Sequence, residues 1–145
     1  MEQIRVKKLS QNAILPTYGS AEAAGADLYA CLDEAVVIAP GQTVFVPTGI
    51  AMEVPKGCAG LIYARSGLAC KRGLAPANKV GVIDSDYRGP IIVALHNHGN
   101  VEQIIAHGER IAQMVITPVL TPYYVQSDEL DDTQRGNGGF GSTGK

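Results

Sequence analysis

Asp84 and Asp86 flank Ser85 in a stretch, residues 78–89, that runs from Asn78 through the apolar Gly81-Val82-Ile83 to Tyr87-Arg88-Gly89. The pattern predicts a hairpin whose apolar first arm ends in a polar turn. Unpaired edge amides and carbonyls of such an arm can read the edge of a base, and Tyr87 can pack against a sugar. Asp84 follows Ile83, expected to be buried, and a carboxylate held there could activate a water. A positioned base of that kind contributes about 10²–10⁴-fold to a rate. Taken alone, the stretch reads first as an ordinary polar hairpin turn.

Three further groups could share the work. Asp27 sits among small residues in Ala24-Gly25-Ala26-Asp27-Leu28, at the start of a predicted strand. One carboxylate can suffice for a magnesium ion that keeps its waters and binds substrate phosphates; a turn-capping aspartate is the plainer alternative. Arg65-Ser66-Gly67 joins a strand to a short helix, offering a forked donor, a hydroxyl and amides to an anion. Gln113 is a polar residue inside the apolar run that Gly108-Glu109-Arg110 introduces, so it must find a local partner or donate to a ligand. His96 and His98 alternate on one strand face, which suits a metal pair, but no third ligand is evident.

The last residues change character. Residues 127–132 are acidic, and five glycines crowd the last ten positions, too polar a composition to order itself. A flexible terminus is the simple expectation. Arg135, Phe140, Ser142 and Thr143 raise another, an arm ordering over a ligand. Residues 136–141 satisfy G-x-G-x-x-G and residues 139–145 most of a P-loop, yet both devices need a strand before and a helix after the glycines. With Lys145 the last residue, neither is expected, although the amides could still wrap phosphate as a nest.

The elements that must position these groups are strands. Short runs such as residues 36–38, 43–46, 50–54, 91–95, 111–116 and 123–125 are closed by Pro and Gly, at intervals expected of a sandwich or closed barrel. Only Ser66–Arg72 looks able to form a helix, so the fold class is all-β. The 145 residues suit one domain. A net charge of −2 argues against a nucleic-acid partner, which a basic face would bind. No run is long enough for a membrane span. The charged start lacks the apolar stretch of a secretory signal, so the expected location is cytoplasmic. Cys31, Cys58 and Cys70 form no zinc or disulfide pattern and are expected to pack as thiols.

Taken in order, the five segments resemble the five motifs of the homotrimeric dUTPases, over residues 24–144. The most specific are Gly81-Val82-Ile83-Asp84 with Asp86-Tyr87-Arg88-Gly89, and Arg135-Gly136 with Gly138-Gly139-Phe140-Gly141-Ser142-Thr143-Gly144. The resemblance implies a jelly-roll-like β-barrel over residues 1–125 and an arm, residues 126–145, that closes over the active site. It implies Asp84 as general base toward a water attacking the α-phosphate of dUTP, and Asp27 contacting Mg2+ through water. Arg65, Ser66, Gly67, Gln113 and Arg135 would share the triphosphate charge, with Gly141, Ser142 and Thr143 beside them. Asn78, Gly81, Val82 and Ile83 would bind uracil, Tyr87 would exclude a 2′-hydroxyl, and Phe140 would stack on the base. It further implies a trimer with each site built from three chains.

Ala64 departs from the proline common before Arg-Ser-Gly, and Pro90 from an acidic residue; Pro90 also suggests an edge strand. Both concern loop geometry, not a side chain with an implied chemical role. A dCTP deaminase would share the barrel, but calls for a glutamate near the hairpin, and none lies between Glu53 and Glu102. A non-catalytic deoxynucleotide-binding module should have lost Asp84, Asp27, Arg65 or Gln113, all of which are present.

Overall fold

The computed structural model describes residues 3–140. Its strands begin with β1 (Val6–Lys8), β2 (Thr17–Tyr18), β3 (Ala26–Tyr29), β4 (Val36–Ile38), β5 (Thr43–Pro47) and β6 (Ile50–Met52). Then come β7 (Cys58–Tyr63), helix α1 (Ser66–Arg72), β8 (Leu74–Pro76) and β9 (Gly81–Ile83). The series ends with β10 (Ile92–Asn97), β11 (Gln103–Ile105) and β12 (Arg110–Pro118). The all-β expectation holds, and the predicted helix is the one helix among the described residues.

The strands form four sheets, ordered β1-β6, β5-β10-β8, β11-β4 and β2-β3-β12-β7-β9. They wrap one core in a jelly-roll-like arrangement, but the sheets stay open, so no closed barrel forms. Short strands cut by Pro and Gly account for this, because a Pro-terminated ladder cannot run on into the next sheet. Strand β10 shows how the sequence chooses its inner face. Val93 and Leu95 are buried against Ile38, Val46, Leu74 and Ile111, while Ile92, Ala94 and His96 alternate outward. Asn97, at its end, is fully buried and satisfied: it donates to the Ile38 and Val101 carbonyls and accepts from Gly99 N–H.

Helix α1 starts at an extended Arg65 and stops at Gly73, whose φ of 66° is the left-handed conformation that ends helices. A Cβ on Gly73 would also fall 2.8 Å from Gly99 N, so chain crossing and helix stop require the same glycine. Arg72 then fastens the helix to the rim. It donates to Gln103 Oε1, to the Ile104 carbonyl and to Glu109 Oε2, the last at 2.7 Å.

Three further expectations are corrected. Residues 123–125 form no strand; Pro118 and Pro122 interrupt the ladder, and Tyr123 and Tyr124 are almost wholly exposed. Pro90 is not on an edge strand. It lies in the connection before β10, which is central in its sheet. The two arms expected of a hairpin at residues 78–89 do not pair, since β9 joins β7 and the chain then crosses to another sheet in β10.

Candidate functional site

The centre of the five-stranded sheet carries a polar row. Gln113 of β12 stands opposite Asp27 on one side and Tyr63 on the other. Just past Tyr63 the chain turns into α1, which brings Arg65 over the row. Arg65 Nε donates to Asp27 Oδ1 at 2.7 Å, and Arg110 Nη1 donates to Asp27 Oδ2 at 3.3 Å. Both oxygens of one nearly buried carboxylate are thus held by guanidinium groups, whose side chains remain 26% and 52% exposed. Two cations share one anion, so the site carries a surplus positive charge that faces solvent.

Gln113 finds a local partner: its Nε2 donates to the Ala64 carbonyl at 2.9 Å. Its Oε1 points at Gly25, where a Cβ would come within 2.6 Å. Gly25, Gln113 and Ala64 therefore form a strut that sets where Arg65 leaves the sheet. These groups, with Ser66 and Gly67, line an open cleft of about 340 Å³. The first amides of α1 have no side-chain cap from Arg65 and remain available to an acceptor. Donors from two guanidiniums, a hydroxyl and backbone, around one carboxylate, suit a phosphorylated ligand.

Arg110 carries no role in the sequence reading, for a physical reason. In a regular strand Arg110 and Gln113 would face opposite sides of the sheet. A bulge between Arg110 and Ala112 shifts the register and brings Arg110 onto the Asp27 face. The run Gly108-Glu109-Arg110 before an apolar strand is the available signal, but the bulge itself is not visible in it.

The remaining candidates lie elsewhere in the chain. The register Ile83↔Gly60 carries on to set Asp84 level with Ala59. The row of Tyr63, Gln113 and Asp27 lies four residues further along β7, and Asp27 is three strands across from β9, so Asp84 and the Asp27–Arg65 pair are roughly 20 Å apart at ~3.3 Å per residue and ~4.8 Å per strand. Asp84 is exposed, and Ile83 only half-buried, contrary to expectation. Strand β9 ends its sheet, so its outer edge is free. Before it, Val80 N–H donates to the Asn78 carbonyl across Lys79, whose φ is 65°, a tight turn that side chains other than glycine adopt at a cost. The Asn78 amide comes close to Gly81, with Nδ2 3.4 Å from where a Cβ would be. Tyr87 donates to the Pro90 carbonyl at 3.0 Å and lies across Gly89, where any Cβ would strike its ring.

Arg135 and Phe140 stand in the exposed segment after β12, where Arg135 Nε donates to the Gly138 carbonyl. Gly141, Ser142 and Thr143 fall outside the described residues. His96 accepts or donates at Thr43 Oγ1, and its ring meets His98 edge-on at 4.4 Å. Desolvation first, and then the neighbouring His96 and Lys79, lower the pKa of His98. No group of three or more metal-ligating side chains occurs among the described residues, nor does any helix there have the length and apolarity to cross a membrane.

Comparison with known proteins agrees with this geometry. The dUTPase family model matches residues 11–144. A deoxyuridine 5′-triphosphate nucleotidohydrolase of Desulfitobacterium hafniense (strain DSM 10664 / DCB-2) is 55% identical, covering 90% of this chain and 87% of its own length. Its counterpart in Hydrogenobaculum sp. (strain Y04AAS1) is 53% identical, covering 98% of each chain. Among solved structures, Staphylococcus bacteriophage 80alpha dUTPase with dUPNHPP superposes with a TM-score of 0.91 at 31% identity, covering 100% of both chains. A mutant dUTPase from phage phi11 of S. aureus, described as revealing the coordination of a structural Mg(II) ion, has a TM-score of 0.82 at 26% identity, covering 90% of this chain and 100% of its own. With a match that takes in every segment of the cleft, this chain belongs to the dUTPase family.

Proposed function

We propose that this protein hydrolyses dUTP to dUMP and pyrophosphate, at sites that separate copies of the chain complete together. The observation that carries the reading is the cationic cleft around Asp27, Arg65 and Arg110, in a chain that matches the family over residues 11–144. Arg65, Ser66, Gly67 and Gln113 bind the triphosphate, and Arg110 joins them. Arg135, Gly141, Ser142 and Thr143 come from the arm, residues 126–145.

Asp84 takes a proton from the water that attacks the α-phosphorus. The bond from that phosphorus to the α,β-bridging oxygen breaks, and pyrophosphate leaves with the electron pair. Charge moves onto the leaving group, so guanidiniums placed there favour the transition state over the ground state. Removing one such donor typically costs about 10²–10³-fold in turnover.

The free outer edge of β9, with Asn78, binds uracil. Cytosine presents the opposite donor and acceptor at positions 3 and 4, and the same backbone would leave both unpaired. Tyr87, fixed against Gly89 and Pro90, packs under the deoxyribose where a 2′-hydroxyl would collide. Phe140 stacks on the base when the arm closes.

Asp27 is the one carboxylate lining the cleft, and both its oxygens engage arginine. That donor set fits Mg2+ arriving with the nucleotide through water, rather than a dedicated protein cage. Held there by Asp27 through water, Mg2+ would neutralise phosphate charge.

The separation of Asp84 from the Asp27–Arg65 pair, roughly 20 Å across the sheet by strand rise and strand spacing, exceeds the span of a triphosphate group. It supports a shared site in which one copy supplies Asp84 and the β9 edge and another supplies the phosphate cleft, in a homotrimer. A cytoplasmic location completes the reading. Product analysis with Mg2+ and dUTP tests it. Pyrophosphate and dUMP are expected; ammonia from dCTP, or binding of dUTP with no turnover, would replace it with a deaminase or a binding module.

A further inference from the structure

A second groove, of about 450 Å³, runs beside the phosphate cleft on the outer side of α1 and shares Arg65, Gly67 and Arg110 with it. Lys71 and Arg72 continue its cationic wall, and its one carboxylate, Glu109, is engaged by Arg72 at 2.7 Å. Lys71 is exposed and makes no ion pair among the described residues. The proposed reaction uses Arg65, Gly67 and Arg110 at the edge this groove shares with the cleft, and gives no role to Lys71 or the rest of its wall. The chain also holds a segment of opposite sign, unused as well. Asp128, Glu129, Asp131 and Asp132 put four negative charges into residues 128–132, all exposed.

We propose that residues 128–132 of one copy dock in the Arg65–Lys71–Arg110 groove of another, as an acidic latch that delivers the arm to the neighbouring cleft. The proposal rests on the reading of the arm given above and adds its docking site. Charge complementarity is the first argument. Reach is the second: Arg135 follows Asp132 by three residues, or up to ~10 Å of chain, and the groove adjoins the cleft that Arg135 must enter.

Topology favours a second copy. Strand β12 begins at the cleft with Arg110 and ends opposite Cys58 with Pro118. The arm therefore leaves about 26 Å from its own groove, at ~3.3 Å per residue. The ten residues from Pro118 to Asp128 span at most ~36 Å, so a return home needs a largely extended path back past the sheet. A partner's groove imposes no such return.

The test is zero-length carbodiimide cross-linking of full-length chains, ¹⁴N- and ¹⁵N-labelled and mixed, with and without dUPNHPP and Mg2+. A cross-linked pair joining a Lys71 peptide to a peptide of residues 128–132, in mixed isotopes and lost in Lys71→Gln, is expected. Absence of that pair in both conditions, or its presence in single isotopes alone, overturns the proposal. This readout needs no turnover, so it fails or succeeds separately from the hydrolase reading. Kinetically, Lys71→Glu should raise KM for dUTP about threefold at low salt, with kcat unchanged, as reversal of a rim charge does. The effect should fade near 1 M salt, where screening reaches ~3 Å. Asp131→Lys with Asp132→Lys in the same chain should restore KM. An unchanged KM in Lys71→Glu would count against the latch.

Discussion

Gly25→Ala gives the sharpest view of how the cleft is held. The glycine has ordinary backbone geometry, so alanine brings no conformational strain, only a methyl group. That methyl would lie 2.6 Å from Gln113 Oε1, 3.2 Å from its Cδ and 3.3 Å from its Cβ. The carboxamide must rotate or withdraw, and its 2.9 Å bond to the Ala64 carbonyl goes with it. Losing one such bond costs ~1 kcal/mol and overpacking a fitted site ~1–3 kcal/mol. A net loss of about 2–4 kcal/mol lowers Tm by roughly 6–13 °C for a domain of this size. Turnover should suffer more than stability, since Ala64 precedes Arg65 and a misplacement of ~1 Å can cost ~10²-fold. Thermal unfolding and steady-state dUTP hydrolysis measure both effects. The deciding control is Gly25→Ala in a Gln113→Ala background, where the 2.6 Å contact no longer exists. There the added methyl should cost under about 1 kcal/mol, a clear non-additivity. Equal losses of stability in both backgrounds, or wild-type turnover in the single variant, would refute the strut.

Two other variants separate the parts of the site. Asp84→Asn should lower kcat by about 10²–10⁴-fold, the usual worth of a positioned base, with dUTP binding and Tm preserved because the side chain is exposed; full activity would remove Asp84 from that role. Truncation after Thr133 should leave the unfolding curve in place, since residues 134–140 of the segment removed are mostly exposed, while turnover falls; an unaffected enzyme would mean the arm takes no part.

Much of the fold could be read from the chain because burial writes itself into alternation and breakers. β-Branched runs closed by Pro or Gly, at residues 36–38 and 43–46, became β4 and β5, and Ser66–Arg72 became the helix. Residues 123–125 show the limit of that signal: a Tyr-Tyr-Val run has strand propensity, but a strand forms only where a ladder and an apolar face receive it. The site divided in the same way. Asp27, Arg65 and Gln113 were legible by type, and adjacent strands and the β7–α1 turn bring them together. Arg110 was not legible, since its facing depends on a bulge. Nor does the sequence state that β9 and the residues after it hand Asp84 to the opposite end of the sheet from Arg65. That separation follows from a ladder register, a property of paired strands rather than of either one.

Subunit complementation tests the shared site most directly. Asp84→Asn chains and Arg65→Ala chains are each prepared alone, then mixed in equal amounts and allowed to exchange. Each parent should be nearly inactive. If one copy supplies Asp84 and the next supplies Arg65, random mixing around a ring leaves about a quarter of the sites with both groups intact. Regained dUTP hydrolysis near that fraction of the wild-type rate is expected. Mixed oligomers that stay as inactive as their parents would place both residues of each site in one chain and contradict it.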